Sequence, residues 1–270
     1  MLKLVATDMD GTLLNSQHKM PKQTYEVIDR LHAKGIKFAV ASGRHYLSLQ
    51  NLYKEIKDEI ILVAENGGVV IDKGEMIYAS LLGKENARAI IADIDKIPGL
   101  KVTICALQAA YLFEGNNIIS DLPIETVDTH FPKRVLIKSL DDLPDDDEVI
   151  KLAVFDPEFK ARENIYGRLP HLHDQFQLAV SGAEWTDIMN LGINKGVAIR
   201  KLQDMLAATP EETMVFGDAL NDVEMMQQAY YSYAMENALP EVKAVSNFTA
   251  PTNEEEGVVK VLENLLAIMK

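Results

Sequence analysis

Cysteine is almost absent: Cys105 is the only one among 270 residues. A single thiol cannot close an intramolecular disulfide, so a reducing compartment is the simple expectation. Cys105 itself reads as a small buried apolar residue, not a reactive thiol. Positive charge is also in short supply, with 27 Lys and Arg against 41 Asp and Glu and a formal net charge of -14. Such an acidic surface repels nucleic acid and anionic membranes, and neither is expected as a partner. A phosphate substrate is still allowed, because a metal ion and a few local groups can reverse the field inside one pocket. No apolar run approaches the length of a membrane span. The opening residues 1–6 are too few, and too soon followed by Asp8, to form a signal peptide, so a cytoplasmic protein is expected. His171 and His173 have no Cys or third His close by, which argues against zinc and for surface placement. No internal repeat is visible.

What is present is an alternation of buried strands and helices. Residues 2–7 form a short apolar run ending in Asp8 and Asp10, the pattern of a fully buried parallel strand with polar residues at its carboxyl end. A helix opens near Pro21, with Tyr25, Ile28 and Leu31 on one face, and closes at Gly35. Residues 36–41, a helix over 47–56, and a strand over 60–64 complete two βα repeats. The rhythm then changes. Residues 69–71 and 76–79 flank Asp72-Lys73-Gly74, a hairpin signal. Strands are expected over 102–107, 110–114, 149–155, 175–180 and 185–189, and helices over 86–96 and 157–169. The acidic stretch 141–148 reads as a solvated loop. Alternation resumes with a helix over 195–206, a buried strand over 213–217, a helix starting at Asp222 and a last helix over 255–269. The expected architecture is therefore an α/β, Rossmann-like parallel-sheet core, residues 1–82 and 189–270, interrupted by an α+β unit over 83–188.

The sharpest chemical signal is the string Asp8-Met9-Asp10-Gly11-Thr12-Leu13-Leu14. Two carboxylates two residues apart, just past a buried strand, point the same way if the chain stays extended. Strand carboxyl ends are where open α/β sheets build their sites. Paired acids there can hold a hard cation such as Mg²⁺, or divide the roles of nucleophile and general acid/base. Ser42-Gly43-Arg44 follows the second strand, and its hydroxyl and N–H groups can receive phosphate oxygens. Lys195 stands at a helix start and offers a point charge. Gly217-Asp218-Ala219-Leu220-Asn221-Asp222 follows another apolar strand, with three polar groups able to complete a cation site, although Asp222 alone would also suit a helix cap. Trp185 and the tyrosines of the inserted unit read as packing residues, with lining of a substrate pocket as their other use.

Taken in order, these groups resemble the haloacid dehalogenase-like superfamily, and within it the Cof-type hydrolases with a type IIB cap. Residues 8–14 match the DxDGTLL motif, Ser42 the second motif, Lys195 the third in its N-K-G setting, and residues 217–222 the fourth, GDxxND. Glu65-Asn66-Gly67-Gly68 and residues 234–238 resemble further family segments, while Ala219 and residues 230–233 depart from the usual pattern without removing a charge. The resemblance implies a Mg²⁺-dependent phosphatase acting on small phosphate esters, sugar phosphates first. Asp8 would be the nucleophile, forming an aspartyl-phosphate. Asp10 would protonate the leaving alcohol and then activate water. Mg²⁺ would be held by the Asp8 carboxylate, the Asp10 carbonyl and Asp218, with Asp222 in support. Ser42, Asn221, Lys195 and the N–H groups of Met9 and Gly43 would hold the phosphoryl oxygens. Two alternatives share parts of this set: a phosphomutase-like transferase, and a phosphoacceptor signalling domain, which has no use for an acid at Asp10 and no room for the insert.

Overall fold

The computed structural model describes residues 1–269. The first part of the chain forms β1 (Leu4–Asp8), β2 (Lys37–Ala41), β3 (Ile61–Ala64), β4 (Val69–Asp72) and β5 (Glu75–Ala79), with α1 (Thr24–Ala33) and α2 (Tyr46–Leu52) in the first two crossovers. The middle part forms α3 (Lys84–Ile94), β6 (Lys101–Ala106), β7 (Ala110–Phe113), α4 (Ile124–His130), β8 (Arg134–Ile137), β9 (Val149–Phe155), β10 (Phe176–Val180) and β11 (Trp185–Asn190). The last part forms α5 (Lys195–Leu206), β12 (Thr213–Gly217), α6 (Val223–Met226), β13 (Tyr231–Met235), α7 (Pro240–Val245), β14 (Phe248–Ala250) and α8 (Gly257–Ile268).

The first and last parts share one eight-stranded sheet, ordered β14-β13-β12-β1-β2-β3-β4-β5. It is parallel from β14 to β3 and ends in the antiparallel β4–β5 hairpin. β1 lies centrally with all five residues buried, as a strand covered by helices on both faces requires. The carboxyl ends of β1, β2 and β12 meet at one edge: Thr7 pairs with Phe216 and Val40, and Asp8 with Ala41. The hairpin turns at Lys73 and Gly74, both left-handed (φ 51° and 78°), which is the geometry a tight two-residue turn demands.

The middle part forms a second sheet, ordered β10-β11-β9-β6-β7-β8. Period-two alternation splits its strands between two environments. Leu152, Val154 and Ile188 enter a core shared with α3, whereas Ala153 and Phe155 sit on the opposite face with Phe131 and Trp185. Lys151 and Asp187 alternate onto that second face, which turns toward the carboxyl edge of the large sheet. The two chain crossings between the sheets lie side by side, tied by Asn190 Nδ2, which donates to Ser80 Oγ (3.0 Å) and the Leu81 carbonyl (2.7 Å).

Several sequence expectations are corrected here. No α-helix spans 157–169: Phe159 takes φ 58°, and only a wide turn over Arg162–Tyr166 and a short one over Pro170–Leu172 form. Tyr25 is exposed, and α1 buries Val27, Ile28 and Leu31 instead. The acidic stretch is not all solvated. Asp147 is buried and accepts from the Gln108 N–H (2.8 Å) and the Tyr111 hydroxyl (2.6 Å). α4, β8, β13, α7 and β14 have no counterpart in the sequence reading.

Candidate active site

The site is built where β1 ends. Asp8 is its last residue, and the chain then turns through Gly11, whose φ of 84° only glycine takes freely. A Cβ at Gly11 would lie 2.4 Å from Asp218 Oδ2, so the glycine also lets the two loops meet. Thr12 completes the junction by donating to Asp218 Oδ1 (2.6 Å). Asn237, in the 234–238 segment, donates to the Gly11 carbonyl (2.8 Å) and pins the loop from behind.

Lys195 enters from the first turn of α5, whose start Asn194 caps by accepting from the Val197 N–H (2.9 Å). The ammonium is fully buried and donates to Asp8 Oδ1 (2.5 Å) and Asp222 Oδ1 (2.6 Å). Desolvation opposes its charge, but Asp222 and Asp8 outweigh that and push its pKa upward. Asp222 is likewise buried, and its other oxygen accepts from the N–H groups of Asp218 and Ala219 (2.9 and 3.0 Å). Both Asp222 oxygens are thus committed to holding Lys195 and the β12 loop.

Oxygen atoms of Asp8, Asp218 and Asp222 lie within 4.8 Å of one another. Three carboxylates around one ammonium leave surplus negative charge. Burial, then Asp222, raise the Asp218 carboxyl to about 6, and the same two causes raise Asp8 well above the usual carboxylate range. A cluster of hard oxygens with uncompensated charge is a place for a divalent cation.

Asp10 is placed differently. Its carboxylate turns away from the cluster toward Arg44, which donates through Nε (2.9 Å) and a terminal nitrogen (2.5 Å), and toward His18 Nδ1 (3.2 Å). Desolvation raises its pKa, but His18 and Arg44 prevail and hold it at about 2. The Asp10 carboxylate is thus committed to Arg44 and His18 and takes no part in the acidic cluster. The second-strand loop brings Ser42 and Gly43 to the same edge. Ser42 Oγ accepts from the Arg44 N–H (3.1 Å), and the Gly43 carbonyl accepts from Lys151 of the second sheet (2.5 Å). Asn221 donates to Asn66 Oδ1 (2.9 Å) and leaves its own Oδ1 buried and unpartnered. Met9 is buried in the core, which leaves its main chain as its only contribution.

A cavity of about 120 Å³ adjoins these groups, with Asp8, Asp10, Ser42 and Asn221 on one side and Phe131 at the end of α4 with Trp185 and Asp187 of the second sheet on the other. The structure therefore brings Asp8, Ser42, Gly43, Lys195, Asn221, Asp218 and Asp222 to one strand edge. Sequence reasoning gave no role to Arg44, Thr12, His18, Lys151 or Asp187. For the last two a signal existed, since each is a lone charge inside an apolar strand. His45 lines the cavity without reactive geometry: it caps α2, and its ring nitrogen Nε2 bonds the Ala106 carbonyl (3.1 Å). His171 and His173 bond Asp93 and the Tyr166 carbonyl separately and share no metal-ligand geometry.

A carboxylate at a central strand end, a buried lysine behind it and acids just past the neighbouring strand mark an enzyme with a Rossmann-like core and an oxygen-rich, cation-ready site. The chain belongs to the haloacid dehalogenase-like hydrolase family, whose model matches residues 5–262, and it is a phosphatase of the Cof type. Among curated relatives, it is 30% identical over 275 residues to a 5-amino-6-(5-phospho-D-ribitylamino)uracil phosphatase of Escherichia coli (strain K12), covering 98% of this chain and 96% of that one. It is 29% identical over 248 residues to an HMP-PP phosphatase of Cronobacter sakazakii, covering 90% and 88%. Among solved structures, SMU.1108c of Streptococcus mutans UA159 superposes with a TM-score of 0.89 at 31% identity, over 99% of this chain and 100% of that one. A subclass IIB sugar phosphatase superposes with a TM-score of 0.79 at 25% identity, over 97% and 98%. No helix among the described residues is long and apolar enough to cross a membrane.

Proposed function

We propose that the protein hydrolyses small phosphate monoesters, sugar or sugar-alcohol phosphates foremost, through an aspartyl-phosphate on Asp8. The observation that carries this reading is the Asp8 carboxylate itself. It sits at the cavity floor, aligned by Lys195 and flanked by Asp218, where a phosphorus atom held by Ser42 and Gly43 would meet it. Attack forms the Asp8–phosphorus bond and breaks the ester bond, and the alkoxide takes a proton from Asp10. Water, deprotonated by Asp10, then attacks phosphorus, releases phosphate and restores Asp8. Lys195 and Asn221 supply positive charge and N–H groups to the equatorial oxygens.

Mg²⁺ fits the donor set, which is all oxygen and carries uncompensated charge. Asp8, Asp218 and the Asp10 carbonyl would hold it, with Asp222 bracing Asp218 through its N–H. When bound, the ion neutralises charge between carboxylate and phosphate. The segment over 83–188 would act as a cap, since its second-sheet face closes the cavity and supports a water-poor site. The relatives' names, an aminouracil ribityl phosphate phosphatase and a sugar phosphatase, point to leaving groups of polyol type.

Phosphate release from a panel of metabolite esters tests the reading. Transfer of phosphate between positions of one sugar, with none released to water, would favour the mutase alternative. Metal binding has its own readout. Without metal, the raised Asp218 favours the fold while protonated, and that contribution is lost as pH rises from about 4 to about 6. Mg²⁺ should therefore raise the melting temperature more at pH 7 than at pH 5, its stabilisation reaching about 2.7 kcal/mol at ~100-fold its dissociation constant. Asp218→Asn should abolish most of the rise. A Mg²⁺ effect that Asp218→Asn leaves intact would move the metal elsewhere.

A further inference from the structure

The cavity wall opposite Asp8 contains a carboxylate that the chemistry above does not use. Asp187 is 4% exposed, on β11, two residues after Trp185 on the same face. Its Oδ2 accepts from Lys151 (2.9 Å) and from Asn66 Nδ2 (2.6 Å). No hydrogen bond among the described residues uses its Oδ1, and Asp187 lines the cavity. Lys151 is fully engaged: it pairs with Glu65 (3.1 Å) as well as Asp187 and donates to the Gly43 carbonyl. Lys151 thus meets two carboxylates, Asp187 in the cavity wall and Glu65 behind it, and Asp187 brings one acceptor without a protein partner to that wall. Beside it, Trp185 and Phe131 present an aromatic surface with ring centroids 6.3 Å apart.

We infer that Asp187 is a specificity-determining residue for the leaving group. Its Oδ1 accepts a hydrogen bond from a hydroxyl of a neutral polyhydroxy alcohol whose C–H face packs on Trp185 and Phe131. The inference rests on the phosphatase reading above and narrows its substrate class. A buried carboxylate with one free acceptor rewards a donor and penalises its absence, because the oxygen is then left unpaired. The surplus negative charge of the wall also rejects a leaving group that carries a carboxylate of its own.

Three six-carbon esters separate these effects: sorbitol 6-phosphate, n-hexyl phosphate without further donors, and 6-phosphogluconate with an added carboxylate. Wild-type protein with Mg²⁺ should prefer the first in kcat/KM. Asp187→Asn should lower the sorbitol-to-hexyl ratio by ~10–100-fold and raise the relative rate of 6-phosphogluconate. Glu65→Gln removes another partner of Lys151 without facing the cavity, and should leave the ratio unchanged. An unchanged ratio in Asp187→Asn, or an equal fall in Glu65→Gln, would reduce Asp187 to a brace for Lys151 and overturn the inference. Trp185 is the only tryptophan, so its emission reports this wall without altering Asp187. In Asp8→Asn protein, sorbitol 6-phosphate should shift that emission and inorganic phosphate should not; equal responses would also overturn the inference. Wild-type protein that releases phosphate from no ester at all would instead overturn the function itself.

Discussion

Asp8→Asn is expected to lower kcat for every phosphate ester by about 10³–10⁶-fold, the loss typical of removing a principal covalent group. The amide fills the same volume but is a far poorer nucleophile. The fold should survive, for a reason specific to this site. Three carboxylates crowd Lys195 and one another, and burial together with Asp222 already drives Asp8 toward its neutral form. A neutral amide removes one member of that repulsion while Asp222 keeps its bond to the ammonium. The melting temperature without metal should therefore stay level or rise, whereas substitution of Lys195 would strand buried anions and destabilise by roughly 3–5 kcal/mol. Denatured wild-type protein quenched during turnover should carry covalent phosphate, and the variant none. Substantial turnover in folded Asp8→Asn, or phosphate still bound after denaturation, would place the nucleophile on another residue.

The elements legible in the sequence were those whose burial is set locally. β1, β12 and β9 are predominantly apolar runs, fully buried along their length, and Lys195–Leu206 carries its own cap in Asn194. The segments that escaped owe their shape to distant partners. β13 reads Tyr231-Ser232-Tyr233-Ala234-Met235, a mixed string that becomes a strand because β12 and β14 pair with it on either side. The reverse error over 157–169 has the same origin: helical periodicity is present, but Phe159, left-handed where its N–H donates to the Asp156 carbonyl (3.1 Å), breaks the segment. At the site, motif spacing located the residues on the large sheet because each follows a strand end. It gave no access to the partners of Asp10, since Arg44 and His18 arrive from separate loops. Nor could it pair Lys151 with Asp187, which requires the register of β9 against β11.

Asp10→Asn should separate the two halves of the reaction. In the structure Asp10 is held ionised by Arg44 and His18, the form that a general base needs for the second half. The first half needs a proton on the same carboxyl, because a sugar alkoxide is a strongly basic leaving group. Asp10 must therefore leave Arg44, or receive its proton with the incoming ester, before the alcohol departs. A nitrophenolate is weakly basic and departs without that help. Asp10→Asn should accordingly slow sugar-phosphate cleavage far more than the first step with p-nitrophenyl phosphate, within the roughly 10²–10⁴-fold typical of general acid–base catalysis. Hydrolysis of the aspartyl-phosphate should slow as well, since the amide cannot accept a proton from water. With the activated ester, rapid quench should then show a nitrophenol burst and phosphate accumulating on Asp8. Loss of the Arg44 contact adds a second signature: a carboxyl at position 10 released by Arg44→Gln should titrate at higher pH and extend cleavage of alcohol esters toward the alkaline side. If Asp10→Asn slowed both esters equally and trapped no phosphoenzyme, Asp10 would serve only to place Arg44 and the β1 loop, and the proton donor would have to be another group at the cavity edge, with His130 beside Arg44 the first to replace.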